Sequence, residues 1–151
     1  MHVEVVNETT WRVPQSRIQN VTHHAEQLFG LPRDASVQLV FVADRVMRRL
    51  NQRAFRRNRP TDVLAFPLHQ LRPSRSIALR KMAKDPDGFL RLGDVVISVP
   101  TAARHARRLR RPLTDEVAEL FAHGVLHLLG YDHGRPREAS RMEKLTTRLV
   151  A

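Results

Sequence analysis

The sequence predicts an α+β fold in one domain, residues 1–151, built on a small four-stranded mixed sheet flanked by about five helices. Three observations lead there. Four short runs rich in β-branched and apolar residues alternate with segments whose apolar residues recur at helical spacing. Proline or glycine punctuates most of the junctions between them. The chain has 151 residues and no cysteine, which is length enough for one well-buried core and cramped for two.

Residues 2–6 (HVEVV) read as the first strand, ended by the polar stretch from Asn7 to Thr10. Ile18, Val21, Ala25, Leu28 and Phe29 mark a helix over 14–29, with Gly30 as its C-cap and Pro32 blocking continuation. Residues 36–43 (SVQLVFVA) form the second strand, and Asp44 is suited to cap a helix over 44–54 with Val46, Leu50 and Ala54 on one face. Residues 61–66 (TDVLAF) form a third strand that stops at Pro67. Residues 68–90 hold Pro73, Pro86, Gly88 and several charges, and read as a long surface loop with a short helical piece near 76–83. Residues 92–99 (LGDVVISV) are the fourth strand, and Pro100 opens a helix over 100–109. After Pro112 and Thr114 another helix, with Asp115 and Glu116 in its first turn, runs to Leu128 or Leu129 and meets Gly130. Pro136 starts a last helix over 135–149 that contains Met142, Leu145 and Leu149.

Composition narrows the function classes. Without cysteine there is no disulfide scaffold, thiol nucleophile or Cys-ligated metal site. No apolar stretch approaches the ~18 residues of a membrane span, and the N-terminus lacks the basic start and long apolar run of a secretory signal. A cytoplasmic protein with no membrane partner is therefore expected. Basic residues outnumber acidic ones 26 to 15, a net charge of +11, which favours a polyanionic partner, nucleic acid being the commonest. Only three of the 26 are Lys, so an arginine-rich compositional bias is the competing explanation.

The segment from His123 to His133 (HGVLHLLGYDH) carries the chemistry. His123 and His127 stand four apart on the expected helix, so their rings share a face one turn apart. Gly130 can take a left-handed conformation and turn the chain so that His133 approaches the other two. Three converging imidazoles suit one Zn²⁺ per chain with a fourth position left open, the arrangement of a catalytic rather than a structural site. Geometry favours Zn²⁺, although Ni²⁺ or Co²⁺ can occupy such sites. The histidine spacing equals that of H-E-x-x-H-x-x-G-x-x-H metalloproteases, but Gly124 stands where those enzymes place their Glu base. Glu116 and Glu119 lie one to two turns upstream, suited either to the helix's first turn or to orienting a His or relaying a proton. Asp132 is suited to the same orienting role or to the turn.

This block resembles that of the YbeY family of bacterial endoribonucleases, H-G-x-L-H-L-x-G-Y-D-H, and is complete here. Pro60-Thr-Asp-Val-Leu-Ala-Phe66 is similar to the family's P-T-D-V-L-S-F strand, with Ala65 in the Ser place. Leu92-Gly-Asp-Val-Val-Ile-Ser98 is similar to its L-G-D-I-x-I-S strand, and Met142 and Glu143 fit its C-terminal pattern. The likeness spans residues 37–149. It implies zinc bound by His123, His127 and His133, acting through the metal in catalysis. It also implies a single-strand-specific, metal-dependent endoribonuclease acting in small-subunit ribosomal RNA maturation and ribosome quality control. The implied partners are the ribosomal RNA precursor and the ribosome, with a ribosomal protein or GTPase as a further docking partner. Family members often carry a Tyr-Arg pair between the L-N and P-T-D segments, where this chain has Ala54 and Phe55. Arg56, one residue later, is the expected replacement for that Arg, with Arg53 and Arg57 as alternatives.

Arginines crowd two stretches, one including Arg53, Arg56, Arg57 and Arg59, the other Arg104, Arg107 and Arg108. Guanidinium forks pair with phosphates and stack on bases, so both are expected to hold RNA, chiefly by its backbone. The plainer reading of each is a solvated helix face. Aromatics for stacking are few, and Phe55 is the best candidate for an exposed one. His23, His24, His69 and His105 are isolated and none is assigned to the metal. Asp62 and Asp94 read as structural acids within strands, each needing a partner if buried. A zinc metalloprotease, or a non-enzymatic RNA-binding ribosome-assembly factor with structural zinc, are the alternative functions.

Overall fold

A computed structural model describes residues 1–59, 61–74, 79 and 82–151. The element order is β1 (His2–Asn7), α1 (Gln15–Phe29), β2 (Ala35–Val42), α2 (Asp44–Phe55), β3 (Val63–Pro67), β4 (Leu90–Ser98), α3 (Val99–Arg108), α4 (Leu113–Leu128) and α5 (Pro136–Val150). The four strands form one mixed sheet in the order β1-β2-β4-β3. β1, β2 and β4 run parallel, and β3 pairs antiparallel with β4 at the edge. The expected α+β class, strand number and helix number all hold. Pro67 belongs to β3 rather than lying beyond it, a place open to proline because the strand is an edge.

The central strands are buried on both faces, which is why β2 and β4 read as nearly unbroken apolar runs. One face packs Val37, Leu39, Phe41, Val95 and Ile97 against α1, α4 and α5. The other packs Val42, Leu64 and Val96 against Met47 of α2. Along β4 the core-facing positions pass from Leu90 and Leu92 to Val95 and Ile97, so the alternation slips by one residue. The slip is a register shift between Ser36 and Val37, whose partners are Arg91 and Gly93. Gly93 sits at φ 142°, and a Cβ there would collide with the Phe66 carbonyl oxygen and lie 2.9 Å from Leu128 Cδ2.

Two local expectations are corrected. Asp44 does not cap α2: the N-cap is Ala43, and no side-chain bond caps the helix. Its carboxylate instead accepts from Ser98 Oγ and Thr101 Oγ1, both at 2.6 Å, and from Arg104 at 2.8 Å, tying the start of α2 to the start of α3. The stretch after β3 is not wholly surface, because Leu79 is buried in the core and Leu71 packs against it. The helical piece near 76–83 lies largely outside the described residues. No helix among the described residues is long and apolar enough to cross a membrane.

Candidate metal centre and nucleic-acid cleft

α4 is the spine of the site. Most of its residues are buried, including Val117, Phe121, Val125 and Leu128, so it runs through the core against the sheet. Gly124 marks the closest approach, where a Cβ would stand 2.5 Å from Val95 Cγ1. His123 and His127, one turn apart on the side of α4 that borders the cleft, have ring centroids 4.7 Å apart.

The helix ends in a Schellman turn. The Gly130 amide donates to the His127 carbonyl and the Tyr131 amide to the Leu126 carbonyl, each at 3.0 Å. Gly130 takes φ 95°, and a Cβ on it would collide with the Leu71 carbonyl. Beyond the turn, buried Tyr131 packs on Phe29, and His133 returns to within 5.3 Å of the His123 ring and 5.0 Å of the His127 ring. The ligand nitrogens of the three histidines all lie within 4.8 Å of one another.

The electrostatics suit a cation. Burial pushes the His123 pKa down to about 4, and the neighbouring His127 and His133 rings add to that. Burial also lowers His127, again with His133 contributing. Both rings are therefore neutral near pH 7, with a lone pair to offer. His127 donates its Nδ1–H to the Tyr131 carbonyl at 2.9 Å, which selects the tautomer with Nε2 free to bind. His123 Nε2 and His127 Nε2 are 3.1 Å apart. Two imidazoles sharing one Zn²⁺ would have nitrogens about 3.3 Å apart, so the pair is close to ligating geometry.

The orienting contact comes from this backbone carbonyl, not from the acids considered for it. Glu116 and Glu119 are both bound by Arg111, through its Nε at 2.7 Å and an Nη at 2.5 Å respectively. Asp132 serves the turn, accepting from the His133 amide at 2.7 Å.

The histidines open into a cleft of about 1000 Å³ whose opposite wall comes from the end of α2, the loop after it and β3. Of the arginines expected to hold RNA, Arg57 and Arg59 line this cleft. Arg56 is the left-handed residue (φ 55°) that ends α2, and it lies outside the lining, as does Arg53. Buried Asn51 donates to the Arg59 carbonyl at 2.8 Å, folding the loop back toward the site. Arg104 is engaged by Asp44, while Arg107 and Arg108 are exposed in the last turn of α3 away from the cleft. Phe55 is 49% exposed on the cleft rim and stacks on Phe66 at 6.2 Å.

Sequence reasoning missed one group here. Asp62, just before β3, and His105, on α3, both line the cleft, with Asp62 Oδ2 3.2 Å from His105 Nδ1. Asp62 Oδ1 accepts from the Val63 amide at 2.8 Å. Buried Glu116 completes a cluster with these two, within 4.8 Å. Nothing in the spacing of residues 62 and 105 could signal the pairing, since it depends on how α3 crosses the strand.

The sequence profile of the family described as Endoribonuclease YbeY matches residues 4–151. Among curated relatives, an Endoribonuclease YbeY of Myxococcus xanthus is 44% identical over 114 residues, covering 76% of this chain and 35% of the relative. One from Anaeromyxobacter is 42% identical over 130 residues, covering 85% and 60%. One from Saccharopolyspora erythraea is 36% identical over 155 residues, covering 100% and 80%. The chain thus spans from about a third to four fifths of the length of these relatives. A Thermotoga maritima solution structure aligns with a TM-score of 0.57 at 23% identity, covering 97% of this chain and 88% of that one, a likeness of fold.

Proposed function

Because the chain belongs to the endoribonuclease YbeY family, we propose that it is a zinc-dependent endoribonuclease that cuts single-stranded RNA, acting in small-subunit ribosomal RNA maturation and ribosome quality control. The observation that carries this reading is the convergence of three histidines at one wall of a cleft whose other wall bears two arginines. Neutral imidazole donors suit Zn²⁺, and His123, His127 and His133 would hold it. When bound, that ion supplies Lewis acidity and an acidified water.

The chain's own residues do the rest. Arg57 and Arg59 pair with the phosphates on either side of the cut and offset their charge. Phe55, exposed at the rim, offers a face for one base to stack on, which a paired base cannot use. The Tyr131 carbonyl keeps the His127 ring from rotating away. With Arg57 and Arg59 on the phosphates and Phe55 on a base, recognition is chiefly by backbone and stacking, with weak sequence preference.

The metalloprotease reading loses its footing at Gly124. The position of the protease Glu faces Val95 with no room for a side chain. The experiment is cleavage of a ribosomal RNA fragment with a single-stranded tail by zinc-loaded wild type and His127→Ala prepared in parallel. Cleavage by wild type alone supports the proposal. Equal cleavage by both, or by neither, rejects it, and zinc retained by an inert but folded protein points to the structural-zinc alternative.

A further inference from the structure

We propose that His105, held by Asp62, is the general base of the cleavage step. This rests on the endoribonuclease reading above and adds the proton acceptor which that reading lacks. The usual place for a base in this histidine spacing is closed, because Gly124 packs on Val95. Glu116 and Glu119 are both taken by Arg111. Of the other acid–base groups described on the cleft wall, Asp132 is engaged by the His133 amide, which leaves the pair formed by Asp62 and His105.

Its geometry is that of an oriented imidazole. Asp62 Oδ2 lies 3.2 Å from His105 Nδ1, an ion-pair distance that favours the proton on Nδ1 and leaves Nε2 as the basic nitrogen. Asp62 is itself fixed by the Val63 amide at 2.8 Å. The charged groups around His105 are Asp62 from the segment before β3 and Glu116 from α4, the latter neutralised by Arg111. The backbone is equally set: α3 is anchored at its start by Ser98 and Thr101 on Asp44. Both side chains are about a quarter to a third exposed, so a substrate water can reach the ring. The pair also lies near the three histidines, since the Asp62 charge acts on His123.

In the step, a water oxygen bonds to phosphorus as its proton passes to His105 Nε2, and the bond from phosphorus to the departing ribose oxygen breaks. That oxygen takes a proton from solvent, and His105 later returns its own. Nothing is oxidised or reduced. Asp62 is a positioning residue that stabilises the imidazolium as it forms.

The test uses the zinc-loaded full chain and a fluorescent single-stranded RNA oligonucleotide, with His127→Ala as the inactive reference. Bound zinc and thermal melting are measured for every variant. His105→Gln and His105→Ala should lower kcat by about 100-fold or more, the size of a lost general base, with zinc content and KM near wild type. Imidazole added to His105→Ala should restore turnover saturably. Asp62→Asn should lower kcat less than the His105 variants do, with KM and zinc content near wild type, because it loosens the ring without removing the base. Retention of kcat within a few-fold in His105→Gln overturns the proposal. Loss of zinc or of fold in step with activity in both His105 variants also overturns it, as does absence of imidazole rescue. Failure of wild type to cleave any more than His127→Ala would instead sink the endoribonuclease reading, and this one with it.

Discussion

Gly124 rests on Val95 so closely that a Cβ would stand 2.5 Å from Cγ1 and 2.9 Å from Cγ2. That contact seats the histidine-bearing helix on the sheet, and it removes the residue next to His123 from the chemistry. Gly124→Ala should therefore destabilise the chain by about 1–3 kcal/mol through overpacking. Urea denaturation measures it, and Val95→Ala in the same chain should recover most of the loss. Additive losses in the double variant would show that the contact is not the cause.

Gly130→Ala acts on a different part of the site. The left-handed φ of 95° and the Leu71 carbonyl both exclude a Cβ there. The Schellman turn would open, and His133 would no longer return to the other two rings. The expected result is weaker zinc binding by tenfold or more, beyond any change in stability, read by competition with a chromogenic chelator. Wild-type zinc affinity in a folded Gly130→Ala would refute the role of the turn.

The buried histidines make the metal-free chain sensitive to acid. Burial first, then the neighbouring imidazoles, hold the His123 pKa at about 4, below its ordinary 6.5. Between those values the unfolded chain takes up a proton that the folded one does not. Stability is therefore intact above pH 6.5 and falls as pH drops toward 4. Chelator-treated wild type should lose stability over this window more steeply than His123→Gln. Parallel pH curves would contradict the assignment.

Asp44 gives an independent acid-linked effect. Burial raises its pKa, but hydrogen bonds from Ser98, Thr101 and Arg104 outweigh that and leave it below the ordinary 3.8. Its contribution is fully present above that value and is lost as pH falls through the lowered one. Asp44→Asn should cost about 1.5–3 kcal/mol near pH 7, the range for hydrogen bonds to a charged group. The gap from wild type should close at lower pH. A pH-independent gap would mean that the carboxylate charge is not what matters.

Among the arginines, position in the cleft should outrank membership of a cluster. Charge reversal at Arg57 and Arg59 should weaken RNA binding and reduce the salt slope by about 0.7 for each lost phosphate contact on a single strand. Reversal at Arg53 and Arg56 should do distinctly less, and Arg104→Ala should register in stability because its partner is Asp44. Equal losses from both pairs would show that only total charge counts.

Most of the site was legible in the sequence because its signal is local. The i, i+4 histidines, Gly130 and His133 fall within eleven residues, and helix period plus one left-handed turn suffice to bring them together. The elements were legible for the same reason, since β-branched runs and helical spacing are properties of short windows. Three features were not. Arg57 and Arg59 enter the cleft instead of Arg56 because α2 ends in a left-handed residue and Asn51 draws the following loop back, a detail of one turn that composition does not encode. Asp44, a natural N-cap by residue type, was diverted by hydroxyls more than fifty residues away. His105 looked isolated because its partner Asp62 is 43 residues distant in sequence.

What the sequence by itself determined was the kind of fold, the presence of a three-histidine site and the family. What only the tertiary structure decided was which charged groups share the cleft with that site. The division follows from range. Backbone periodicity and turn chemistry act over a few residues and can be read in order along the chain. The facing of Asp62 on His105, and of Gly124 on Val95, depends on how helices cross the sheet, a balance of burial over the whole core.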